Sequence, residues 1–103
     1  MLVFCNADET ACVTGDSIKA FSVVTISEST YKIKANIGDG VEHILGSYST
    51  FERARDVMHS LVDMLIYDKY RFEKEYSEVK GTPYEAQFLE EEVKNCVKTL
   101  PKE

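Results

Sequence analysis

The sequence predicts an α+β domain, an N-terminal antiparallel sheet of about five short strands followed by two C-terminal helices. Three observations carry this. Residues 31–37 alternate apolar and polar with a period of two, and residues beyond 50 switch to spacings of three and four. Two S/T-x-x-E sequences mark helix starts, Ser49-Thr50-Phe51-Glu52 and Thr82-Pro83-Tyr84-Glu85. At 103 residues the chain is one domain, residues 1–103, with 44% hydrophobic and 29% charged residues, which excludes global disorder.

In the strand half, residues 1–48, Leu2–Cys5 and Ala11–Val13 are short candidates, and the β-branched and aromatic run Ile18–Ile26 is a longer one. Tyr31, Ile33, Ala35 and Ile37 form an apolar row between Lys32, Lys34 and Asn36. Gly38-Asp39-Gly40 supplies the positive φ values of a hairpin reversal. The return strand, Val41–Tyr48, presents Val41, His43, Leu45 and Ser47 on one face and Glu42, Ile44 and Tyr48 on the other.

Helix one, residues 50–80, carries Phe51, Ala54, Met58, Leu61 and Leu65 as one stripe, with Val57, Val62, Met64 and Ile66 widening it. Gly81 suits the left-handed position after a helix. Helix two, residues 83–100, has proline at its first position and apolar residues at helical spacing from Tyr84 through Phe88, Leu89, Val93, Cys96 and Val97 to Leu100. Helix one would run roughly thirty residues, or about 45 Å, more than so small a domain covers alone. It either breaks near 67–71 or packs its far part on another chain, and the ring-rich stretch favours a homo-oligomer, dimer or higher.

Twelve Lys and Arg against eighteen Asp and Glu leave a charge of −6, which argues against binding duplex nucleic acid. No apolar run approaches a membrane span, and the N-terminus lacks a basic segment before its apolar residues, so a cytoplasmic protein with no membrane association is expected. Three cysteines with no C-x-x-C spacing favour reduced, buried thiols, with a Cys5–Cys12 bridge across a hairpin as the other reading. Cys96 is expected to pack on the apolar face of helix two.

No nucleophile elbow, phosphate loop, zinc-protease or dinucleotide fingerprint occurs, so no catalytic residue, metal ligand or cofactor is assigned, and an enzyme is the class least expected. His59 with Asp63 four residues on, and His43 beside Val41 and Leu45, read as ordinary surface and core-edge histidines. Glu90-Glu91-Glu92 reads as a solvated face, and Arg53 with Asp56 as a helix-surface pair. Arg71 differs, because it sits in Tyr67-Asp68-Lys69-Tyr70-Arg71-Phe72, three rings and two cations. Aromatic faces stack on bases and guanidinium groups fork onto phosphates. The candidate ligand-binding residues are therefore Tyr67, Lys69, Tyr70, Arg71 and Phe72, with Tyr84 and Phe88 at the start of helix two.

The stretch Ile44-Leu45-Gly46-Ser47-Tyr48-Ser49-Thr50-Phe51-Glu52-Arg53-Ala54-Arg55-Asp56-Val57-Met58 resembles a pattern in small phage and prophage proteins of Gram-positive bacteria. In that pattern a strand ends in glycine, then tyrosine, then a capped helix with a charged-alanine step and a Val-Met pair. The resemblance covers roughly residues 1–66. The layout is also similar to the Thoeris anti-defence sponge family of the first type, whose oligomers sequester cyclic ADP-ribose signals and some cyclic oligonucleotides without chemistry. The resemblance implies a non-enzymatic protein of the host bacterial cytoplasm that sequesters a cyclic nucleotide immune signal. No residue role is carried over from that family. Two other readings stand beside it. One is an acidic nucleic-acid mimic that inhibits a host defence protein such as a nucleic-acid-guided nuclease, and the other an oligomeric structural or regulatory domain.

Overall fold

The computed structural model describes residues 2–103. It is α+β with two helices, and six strands in two three-stranded sheets replace the single five-stranded sheet expected. Strands β1 (Val3–Cys5) and β2 (Cys12–Thr14) form a short antiparallel hairpin. A single 3₁₀ turn, Gly15–Ser17, leads to β3 (Ala20–Ser27), β4 (Thr30–Gly38) and β5 (Val41–Tyr48), an antiparallel meander. Helix α1 (Phe51–Val79) is followed by α2 (Glu85–Lys94) and a last strand, β6 (Val97–Thr99).

Strand β6 corrects the expectation that helix two reaches residue 100. The Asn95 N–H closes on the carbonyls of Glu91 and Glu92, and its side chain donates to the Glu91 carbonyl, ending the helix. The chain then lies parallel to β1, with Val3 N–H donating to the Cys96 carbonyl and Leu100 N–H to the Cys5 carbonyl. Val93, Cys96, Val97 and Leu100 fit a helical stripe, yet the backbone groups along β1 need partners, and long-range pairing overrides the local period. Cys96 is thus half-buried in the α2–β6 link, its Sγ donating to the Val93 carbonyl, and is not on a helix face.

Two of the three thiols expected to be reduced are joined. Cys5 and Cys12 face each other across the β1–β2 ladder, with Cα atoms 4.1 Å apart, and form a disulfide.

The reversal after β4 follows the sequence, with Gly38, Asp39 and Gly40 all at positive φ. The facing of β5 does not follow simple alternation. Ile33 pairs with Gly46 and Lys34 with Ile44, so Leu45 is a bulge residue. The phase shift buries both Leu45 and Tyr48, which strict alternation would place on opposite faces. Gly46 has to be glycine, because a Cβ there would stand 2.8 Å from the Tyr48 ring.

Helix α1 is continuous and does not break at 67–71. Its cap is Thr50, whose hydroxyl accepts from Arg53 N–H. Ser49, expected as the cap, instead bonds Glu103 through both its backbone N–H and its hydroxyl. The first half of α1 lays Ala54, Val57 and Leu61 on the meander, against Ile33, Ala35, Leu45 and Tyr48. Phe4 and Val13 of the first sheet, with Leu2 and Leu100 flanking its strands, complete this core, and Phe4 meets Phe21 edge-on at 6.1 Å between centroids. A 29-residue helix is about 43 Å long, so only the 55 Å dimension of the 55 × 27 × 22 Å molecule accommodates it. Past Leu65, α1 has left the core and packs on α2.

Candidate functional site

The α1–α2 arm is held by rings and charges. Phe72 stacks on Tyr76 at 5.6 Å, and both lean on Phe88 of α2 at 5.7 and 6.2 Å. At the tip, Gly81 turns the chain with φ +78°. The Glu85 carboxylate accepts from Gly81 N–H and from the Tyr76 hydroxyl. These two bonds, Gly81 first, hold the Glu85 carboxyl below its usual range, and Glu85 raises the Tyr76 phenol in return. The expected capping box therefore closes one residue earlier than drawn: Glu85 begins the helix and reaches back to Gly81, while Thr82 accepts from Tyr84 N–H.

At the base of the arm lies a cleft of about 510 Å³. Leu2, Met64 and Tyr67 give it apolar walls, Asp68, Arg71 and Glu92 a charged side, and Asn95 and Lys98 a rim from the α2–β6 link. Arg71 forks onto Glu92, with Nη1 and Nη2 each 2.8 Å from one carboxylate oxygen. Nη2 also donates to Asp68 at 2.8 Å and Nη1 to Glu75. Four bonds use all four terminal hydrogens of the guanidinium, leaving only the Nε–H. The Glu92 bonds, then Asp68, raise the Arg71 pKa further, so the group is permanently charged. The phosphate-fork role expected of Arg71 is thus already filled by the protein's own carboxylates. Glu92 is accordingly folded inward, whereas its neighbours Glu90 and Glu91 are solvated as expected.

The seven predicted site residues divide among several places. Tyr67 and Arg71 line the cleft. Tyr70 shares with them a shallow groove that runs along α1 past Lys74 to Glu78. Phe72 is in the ring stack between the helices, and Lys69 is exposed. Tyr84 and Phe88 line a separate groove with Glu75, Glu78 and Glu91. Sequence reasoning missed Asp68, Glu92, Asn95 and Lys98. The i,i+3 and i,i+4 spacing of Asp68 and Glu75 about Arg71 was a usable signal for the cage, whereas Glu92, Asn95 and Lys98 arrive only through the turn of the chain at Gly81.

Elsewhere, His59 and Asp63 are exposed and not bonded to each other, and His43 is half-buried opposite Ala35. Arg53 does not pair with Asp56; it donates to the Glu103 carbonyl and lies 5.9 Å from the Tyr48 ring centroid. Among the described residues no group of His, Cys, Asp and Glu is placed to hold a metal, and no helix is long and apolar enough to cross a membrane. Compared with protein-family models, with curated proteins and with solved structures, the chain finds no match in any of the three.

Proposed function

We propose that this is a non-enzymatic binding protein of phage type that sequesters a small nucleotide signal in the cleft beside Tyr67, as its resemblance to the sponge family implies. The observation that carries the reading is the Tyr67 ring, 68% exposed, at the wall of a cleft of about 510 Å³ that also offers acidic acceptors, the Asn95 amide and the Lys98 ammonium. An exposed ring is a stacking platform for a base. Asp68 and Glu92 accept hydrogen bonds from ribose hydroxyls or exocyclic amines, Asn95 does both, and Lys98 supplies a cation for a phosphate. Arg71 then acts by holding the carboxylates in place and makes no contact of its own with phosphate.

Equilibrium dialysis against cyclic dinucleotides, cyclic trinucleotides and cyclic ADP-ribose isomers tests this. One class should be depleted from solution and recovered unaltered. Tyr67→Ala should weaken that binding about tenfold, the worth of one base–ring stack. No depletion across the panel overturns the reading.

The acidic-mimic alternative has its own observation, the groove where Glu75, Glu78 and Glu91 flank Tyr84 and Phe88. A basic protein partner seated there would lose affinity steeply with salt, whereas a stacked nucleotide would lose much less.

A further inference from the structure

The solvent side of α1 has an order that neither the core nor the cleft explains. At 100° per residue, His59, Asp63, Tyr67, Tyr70, Lys74 and Glu78 fall within an arc of about 100° opposite the line of Ala54, Val57, Leu61 and Phe72 that packs inward. All six are exposed, Tyr67 and Tyr70 by about two thirds, and Ile66 at the arc's margin is 66% exposed. Both sheets and α2 lie on the other side of the helix, so the arc is open along its length. Asp63 and Lys74 make no ion pair among the described residues.

The six positions are symmetric about a point between residues 68 and 69. Tyr67 mirrors Tyr70, Asp63 mirrors Lys74, and His59 mirrors Glu78. We infer that α1 pairs antiparallel with α1 of a second copy of this chain, about a twofold axis that passes between the two helices at the level of that point. Each relation then occurs twice: ring on ring at the centre, Asp63 against Lys74 one step out, and an imidazole against a carboxylate at the ends. A twofold interface must be self-complementary in this way. A parallel pairing would set Asp63 on Asp63, Lys74 on Lys74 and Glu78 on Glu78, so charge selects the antiparallel form. From 59 to 78 the contact spans about 29 Å of helix, with apolar and aromatic groups at its centre and polar groups at its ends, the usual anatomy of a protein interface.

The pairing also bears on the cleft. Tyr67 is at once the cleft's wall and part of the arc, so the partner's Tyr70 arrives at the cleft mouth. That closure rests on the ligand-binding reading, whereas the pairing does not.

Sedimentation equilibrium of the full chain in low salt tests the pairing without any ligand. Twice the monomer mass at micromolar concentration is expected, and Tyr70→Glu should give the monomer mass. Asp63→Lys and Lys74→Asp should each raise the dissociation constant about tenfold or more, since each sets like charges face to face twice. The double variant, with both charges reversed, should return the constant close to wild type. Circular dichroism confirms that the variants fold, as all three positions are exposed. A monomeric wild type at about 100 μM overturns the pairing, as does a Tyr70→Glu dimer or a double variant that fails to recover. Nucleotide depletion is measured separately, so a dimer that binds nothing refutes the ligand reading alone.

Discussion

Arg71 and Glu92, twenty-one residues apart, are joined by two parallel 2.8 Å hydrogen bonds that tie the middle of α1 to the end of α2. Asp68 and Glu75 complete the ring of acceptors around the guanidinium. The arm thus has two clasps, this ionic one at its base and the Phe72–Tyr76–Phe88 stack nearer its tip.

Removing the cation should cost more than removing one acceptor. Arg71→Ala takes from Asp68 and Glu92, whose side chains are only 13% and 12% exposed, the guanidinium that bonds both. We expect a loss of about 2 kcal/mol in thermal or urea unfolding, and a smaller loss, about 1 kcal/mol, for Glu92→Gln, which keeps one acceptor. Equal losses for the two variants would show that the cage does not act as a unit.

Gly46→Ala should disturb the meander and the C-terminal tail together. The new methyl meets the Tyr48 ring, and the Tyr48 hydroxyl donates to the Pro101 carbonyl at 2.7 Å. The expected loss is about 1–3 kcal/mol. Tyr48→Phe keeps the ring and removes only the hydroxyl, for about 1 kcal/mol. Urea melts rank the two, with the glycine variant the less stable.

Acid should weaken the fold from the arm tip and the tail. Glu85, held by Gly81 N–H and the Tyr76 hydroxyl, and Glu103, held first by the Ser49 hydroxyl and then by Ser49 N–H, both have carboxyl pKa values below the usual 4.5. A depressed folded value means that the stabilisation is present above the unfolded pKa and disappears as pH falls through the folded one. Melting temperature should therefore drop as pH goes from about 5 towards 3, and the double variant Glu85→Gln, Glu103→Gln should show a shallower drop. An identical slope in that variant would remove these two groups as the cause.

Reducing the Cys5–Cys12 bridge should lower stability. The closed loop is short, with a sequence separation of seven, and the chain-entropy relation gives about 2 kcal/mol for a loop of that size. Differential scanning calorimetry with and without a thiol reductant measures it. The Cys5→Ala, Cys12→Ala double variant should be insensitive to the reductant.

The elements most legible in the sequence were those specified locally. The alternation of 31–37, the glycine reversal at 38–40 and the left-handed Gly81 all stand where the residues put them. What local reading missed depended on distant chain. Val97–Thr99 fits a helix by its own spacing and becomes a strand because β1 offers an unpaired edge ninety-four residues upstream of Val97. The bulge at Leu45 has no turn residue to announce it, and it inverts the facing of Tyr48. The cleft shows the same division. Tyr67 and Arg71 were visible as a ring beside a cation, but whether Arg71 faces a ligand or a carboxylate was decided by Glu92, delivered by a turn ten to eleven residues before it.

The parallel pairing of Val3 with Val97 has a consequence for how the protein is made. Strand β1 is made well before β6, its partner ninety-four residues further along the chain. Until then β1 and β2 are a three-residue hairpin with a bare edge, too small to persist in water unaided. The meander and the first turns of α1 are contiguous in sequence and free to assemble earlier, so β6 joins this sheet after them.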